Sequence, residues 1–249
     1  VSELLLVAAA GLVAGSINAV VGSGTLITYP LLLSVGLTPV IANGTNNVGM
    51  SVGAAASAWA YRAELRARLR ELALPMVLTA CGAVIGSSLV VRLPQRVFTS
   101  VVPWLILAAV ILVAVQPLVN RRLARRPHHL AHPAKDLPMW TGILGIYGGY
   151  FGAGQGVMYM GVLGLRFDED MQQANGAKNL LAATANLVAS VVFIVAGMVS
   201  WPFVLALGVG ATVGGYVGGR WARRIPAQVL RVVVIGVGVY AALYLFIAY

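Results

Sequence analysis

Charge is what this sequence has least of. Only 10% of its 249 residues are charged, against about a quarter in a soluble domain. With 59% hydrophobic residues and a mean hydropathy of +0.88, a water-soluble fold is excluded. Acidic residues are scarcest: Glu3, Glu64, Glu71, Asp136, Asp168, Glu169 and Asp170 all fall at the ends of apolar runs or between them. Carriers of protons or sodium commonly hold the ion with buried carboxylates, and cation pores use acidic rings, so a cation substrate is disfavoured. The single cysteine, Cys81, lies in an apolar run beside Gly82, which excludes a disulfide within the chain and points to no thiol site. Neither a Gly-x-x-x-x-Gly-Lys nucleotide motif nor a nucleophile, base and orienter set occurs, so no catalysis, no cofactor and no use of ATP by this chain is expected. His128, His129 and His132 lie in a Pro- and Arg-rich stretch without cysteine or acidic clusters, and no metal site is expected there.

Long apolar runs are what is present. A helical span needs about 20 mostly apolar residues, and Val97 to Val119 and Ala227 to Ala248 meet that length. Lipid offers backbone groups no hydrogen bonds, so a spanning chain is helical or a closed barrel, and the two-residue alternation of barrel strands is missing. The fold class is therefore an all-α polytopic membrane protein. Apolar runs peak eight times: Leu4 to Val35, Ala42 to Tyr61, Leu72 to Val91, Val97 to Val119, Met139 to Leu165, Asn175 to Val195, Phe203 to Val217 and Ala227 to Ala248. The first is interrupted by Gly22-Ser23-Gly24 and the fifth by Gly152-Ala153-Gly154-Gln155-Gly156, and each reads as a broken helix. The opening Val-Ser-Glu lacks the basic start of a secretory signal, so the first segment is expected to stay in the protein.

Sliding the chain on itself by 132 residues aligns Gly22 with Gly154, Gly24 with Gly156, Ala42-Asn43-Gly44 with Ala174-Asn175-Gly176, Asn47 with Asn179, Gly82 with Gly214 and Pro94 with Pro226. The shared register, more than any glycine in it, indicates two copies of one repeat. Residues 1–119 form the first, 139–249 the second, and 120–138, with Arg121, Arg122, Arg125 and Arg126, a basic linker. Net charge is +10, which in a cytosolic protein would raise nucleic acid as a partner. Arginines between apolar segments are instead what cytoplasmic loops carry, so a lipid bilayer and no nucleic acid is expected. Four crossings per repeat would make the halves parallel and split the basic residues 9 to 7 between the faces. If each broken segment dips in and returns, the halves are inverted and the split is 14 to 2. The positive-inside rule favours the inverted arrangement, with the basic loops and linker cytoplasmic in a cell (inner) membrane. The long stretch Leu4 to Val21, almost able to span alone, speaks for the other.

Lys178 is the one basic residue well inside an apolar helix. A lysine there costs about 2.5–3.5 kcal/mol by insertion scales, so it faces a cavity, a partner or an anion, unless its stem snorkels to the nearby loop at Asp168 to Asp170. Its counterpart in the first repeat is Asn46. Asn43, Asn46 and Asn47, like Asn175 and Asn179, put amides on nearby helix faces, as donors to an oxyanion or as glue between helices. Where a helix restarts after glycine, free N–H groups and the positive dipole end form an anion site. Gly22, Ser23, Gly24 and Thr25, with Gly154, Gln155 and Gly156, are therefore expected to form two facing cradles. Thr45, beside Asn46, completes the candidate substrate site. Gly82-x-x-x-Gly86, Gly210-x-x-x-Gly214 and Gly214-x-x-x-Gly218 are read as tight helix packing.

The stretch from Gly15-Ser16-Ile17-Asn18 through Gly22-Ser23-Gly24-Thr25 to Tyr29-Pro30-Leu31-Leu32 resembles the opening motif of the TauE/SafE sulfite exporter family. So does Gly36-Leu37-Thr38-Pro39 followed by Gly44-Thr45-Asn46. Tyr147-Gly148-Gly149-Tyr150-Phe151-Gly152-Ala153-Gly154-Gln155-Gly156 and Asn175-Gly176-Ala177-Lys178-Asn179 look like its matching blocks in the second half. That resemblance implies an inner-membrane permease of sulfite, sulfonates or related organosulfur anions, built from a duplicated unit. The family often carries Thr-Asn-Lys in the first half, where this chain has Thr45-Asn46-Asn47, so Lys178 has no basic twin. The expected function is secondary transport, export or uptake, of a small anion, with a proton as a candidate co-substrate and a homo-oligomer as a candidate assembly. A passive anion channel and a non-transporting membrane subunit of a complex are the alternatives.

Overall fold

A computed structural model describes residues 2–66, 68–124, 133–167, 171–221 and 227–248. The three linker histidines, Arg125, Arg126, Arg223, Arg224 and the acidic triplet 168–170 lie outside the described residues. Every regular element among those described is a helix. The order is α1 (Ser2–Val20), α2 (Thr25–Ser34), α3 (Pro39–Ala60), α4 (Arg62–Leu65), α5 (Leu69–Arg92), α6 (Gln95–Ala124), α7 (Leu137–Tyr150), α8 (Gln155–Arg166), α9 (Met171–Val195), α10 (Trp201–Trp221) and α11 (Ala227–Ala248). All eight apolar peaks are helical, and the two interrupted ones are indeed broken, into α1 and α2 and into α7 and α8.

Among the described residues, five helices are long and apolar enough to cross a membrane: α1, α5, α6, α9 and α10. The chain is a multi-pass membrane protein. Large apolar side chains cover its outside, with Leu5, Trp104, Leu205, Val209 and Val232 all more than 60% exposed, as lipid contact demands. Helix α3 has the length but not the hydropathy, because Asn43, Thr45, Asn46, Asn47 and Ser51 lie within it. Those side chains are all buried, and each makes a hydrogen bond within the protein.

Glycine sets the packing. Gly11 and Gly15 of α1 lie against Leu207, Ala211 and Gly215 of α10, while Gly210, Gly214 and Gly218 lie against Ala8, Leu12 and Ser16. Residue numbers rise together along this seam, so α1 and α10 run parallel. The Ser16 hydroxyl ties it by donating to the carbonyls of Leu12 (2.9 Å) and Gly214 (3.1 Å). A second seam joins α5 and α7 in the same sense, with Gly82 and Gly86 against Gly142, Ile146 and Tyr150, and Gly145 and Gly149 against Thr79 and Ala83. Thr79 Oγ1 donates to the Thr141 carbonyl across it (3.2 Å). The expected tight packing through glycine is thus present. Each broken helix docks on the other half of the chain, and the halves are interleaved.

The middle is a crossing of α3 and α9. Gly44 meets Phe193, Asn47 meets Ser190 and Tyr61 meets Gly176, so one number rises as the other falls and the two helices are antiparallel. Loops from both halves gather at one end. Arg68 donates to the Phe167 carbonyl (3.3 Å) and stacks on its ring at 4.4 Å, the Arg166 carbonyl accepts from Ala134 N (2.7 Å), and the Arg166 side chain pairs with Asp136 (2.8 Å). Arg92, exposed at the far end of α5, lies at the opposite end.

Candidate functional site

The two breaks meet at the backbone. Gly22 adopts φ +82° and Gly154 φ +71°, values that favour glycine. A Cβ added to Gly22 would stand 2.7 Å from Cα of Gly156, so only glycine fits on either side. Gly156 N donates to the Gly22 carbonyl at 3.3 Å. The two glycine breaks therefore meet backbone to backbone, and the Gly156 N–H is used in that contact. After its break the chain turns back: Gly24 packs against Ala14, so α2 retraces α1. An edge-on contact of Tyr29 and Phe151, ring centres 5.1 Å apart, closes one side.

A helix that stops inside a membrane leaves open carbonyls that need donors. At each end one carbonyl receives its donor from the other half of the chain. Lys178 on α9 directs Nζ at the Ala19 carbonyl at the end of α1 (3.4 Å), and Asn43 Nδ2 on α3 donates to the Tyr150 carbonyl at the end of α7 (3.0 Å). Lys178 is 1% exposed, so its stem does not snorkel to the surface. The ammonium sits at the negative end of a helix, where a cation is favoured. No ion pair joins it to a carboxylate among the described residues. Gln116 Nε2 of α6 donates to the Val21 carbonyl (3.3 Å), and the Tyr147 hydroxyl donates to the Ala153 carbonyl.

The other candidate residues divide. Asn46 hydrogen-bonds with Thr28 and, through Nδ2, with Thr25 Oγ1 (3.3 Å), which locks the start of α2 to α3. Asn47 Oδ1 accepts from Ser190 (3.1 Å) at the central crossing, and Gln155 Nε2 donates to Asn186 Oδ1 (2.9 Å). Ser23 and Asn179 are buried, and Ser23 Oγ and Asn179 Nδ2 have no hydrogen-bond partner among the described residues. Asn175 is half-buried. Gly154 packs on Ala109 of α6. Thr45 is not with the rest, for its hydroxyl accepts from Ser200 N (2.9 Å) just before α10. Sequence reading missed Gln116, Asn186 and Ser190, although lone amides and a serine in apolar runs signal interhelical hydrogen bonds. A buried cation, unpaired donors and two helix breaks thus share one region, and what they can do together is hold a small anion.

Comparison with known proteins gives the family. The family model for the sulfite exporter TauE/SafE matches residues 7–245. The chain belongs to the TauE/SafE family. A probable membrane transporter protein, ORF9, of Sinorhizobium is 28% identical to it over 235 residues, covering 94% of this chain and 88% of that one. A probable membrane transporter of Haemophilus influenzae is 28% identical over 227 residues, covering 90% and 87%. The probable membrane transporter YfcA of Escherichia coli is 27% identical over 218 residues, covering 86% and 77%. No solved structure matches the chain. This TauE/SafE protein is accordingly a membrane transporter.

Proposed function

We propose that the protein is a secondary transporter of a small oxyanion, with sulfite, a sulfonate or a related organosulfur anion as the substrate class. The buried Lys178 beside the paired breaks, which no carboxylate pairs with among the described residues, carries the reading. A desolvated ammonium needs a negative partner, and one carbonyl supplies only partial charge, leaving two of its three N–H donors for a ligand. Ser23 Oγ and Asn179 Nδ2 supply further uncharged donors. Specificity for an oxyanion over a halide follows from several N–H and O–H donors around one cation.

The protein works as two inverted repeats around that site. Helices α3 and α9, which the 132-residue register superposes, cross antiparallel, as an axis lying in the membrane plane requires. The contacts of Arg68 with Phe167 and of Arg166 with Asp136 supply the shared basic end that the inverted reading needs, and the parallel reading would put those loops on opposite faces. That end is cytoplasmic, in an inner membrane, by the positive-inside rule. Rocking of one repeat against the other around the breaks exposes the anion to each side in turn. In proteoliposomes loaded with sulfite or a sulfonate, Lys178→Ala is expected to cut saturable flux at least about a hundredfold, with Lys178→Arg keeping part of it. Undiminished flux in Lys178→Ala would remove Lys178 from the site, and flux that never saturates would make the protein a channel.

A further inference from the structure

A cavity of about 340 Å³ opens between α3, α5 and α9, away from the helix breaks. Ala58, Met76, Ala183 and Leu187 are among its apolar walls, and Trp59 and Arg62 stand at its mouth. The reason it exists is visible in the register. On the other side of the molecule α3 and α10 interlock through Gly49, Gly53, Gly208 and Gly215. The residues 132 positions away are Leu181, Ala185, Met76 and Ala83, none of them glycine, and Met76 lines the cavity. One seam is closed by glycine, and its twin, without glycine at the matching positions, holds the cavity.

The mouth differs as well. Trp59 and Arg62 correspond to Val191 and Ile194 in the closed seam, so the aromatic and the cation are particular to the open one. Trp59 is 65% exposed, and Arg62 is held over its ring at 4.9 Å while donating to its carbonyl at 3.0 Å. This fixes the guanidinium at the groove's entrance, at the arginine-rich end of the molecule, with other N–H groups to spare. An apolar slot open to the bilayer, capped by an interfacial tryptophan and a fixed cation, is complementary to an acyl chain below a negative headgroup.

We propose that this groove is a binding site for one anionic phospholipid, its chain between α5 and α9 and its phosphate on Arg62. The protein purified in detergent is titrated with phosphatidylglycerol and, separately, with phosphatidylcholine of the same chains, and bound lipid is counted by native mass spectrometry. The wild type is expected to retain one phosphatidylglycerol with a preference of about fivefold over phosphatidylcholine, the value of one basic contact. Arg62→Gln removes that preference, whereas Arg92→Gln, at the opposite end, leaves it intact. Ala183→Trp fills the slot and lowers retention of both lipids. Arg62 is exposed, so its variant carries the test without disturbing the core. Equal retention of both lipids by the wild type, an unchanged preference in Arg62→Gln, or a second copy of the chain in place of lipid would overturn the proposal.

Discussion

The two broken helices are built alike and charged differently. In the first, Gly22-Ser23-Gly24 is braced by Asn46 through Thr25 and Thr28. In the second half the matching position on α9 is Lys178, which ignores its own break and reaches to the end of α1. Two breaks of like build thus share one cation, and it comes from the second half of the chain. The lesson is that backbone geometry at the crossing is shared between the halves and needs glycine from both, whereas the electrostatics is supplied by one half alone. A ligand bound there meets a charged side and a neutral one.

Four experiments break or sharpen that contrast. The largest effect is expected from Gly22→Ala, which puts a Cβ against Gly156 and an alanine at φ +82°. Close packing and left-handed backbone together cost on the order of 4 kcal/mol, to be read as lost stability in detergent unfolding. Next comes a charge exchange, Asn46→Lys with Lys178→Asn. If the site needs one cation at the breaks and not that cation in that half, the double variant recovers part of the flux that Lys178→Asn alone loses. No recovery would make the asymmetry itself functional. Thr45→Ala follows, removing the acceptor for Ser200 N at a cost of about 1 kcal/mol. Affinity for the anion is expected to stay unchanged, because Thr45 lies apart from the breaks. The smallest effect belongs to Arg166→Gln at the basic end, where an ion pair with Asp136 is partly solvated. Desolvation opposes ionisation of Asp136, yet the Arg166 and Trp140 hydrogen bonds hold its carboxyl below the usual range. That contribution is therefore full above an ordinary aspartate pKa of about 3.9 and fades as pH falls through the lower folded value. A melting difference between wild type and Arg166→Gln is expected at neutral pH and low salt, and should vanish in about 1 M salt.

The sequence was most legible where one residue type has one use. Runs of leucine and valine located the helices, and glycine pairs in register located both breaks. Which amide serves which partner was not legible. Asn43 and Thr45 are neighbours on one helix, yet one reaches the end of α7 and the other the start of α10. A periodicity shows which face a residue occupies but not which helix lies opposite it. The direct meeting of Gly22 with Gly156 was equally hidden, because two glycines far apart in sequence carry no side chain to announce a contact. The length of α1 had left its course open. It is the fold-back of Gly24 onto Ala14 that shows α2 returning alongside it.

Interleaving has a consequence for biogenesis. Helix α1 presents Gly11 and Gly15 to α10, which leaves the ribosome only after α9 has been made. Until then that glycine face meets lipid or a temporary substitute, and α7 meanwhile finds α5 already waiting. The α5–α7 seam can therefore close before the α1–α10 seam, and the two glycine seams form in that order as the chain is made.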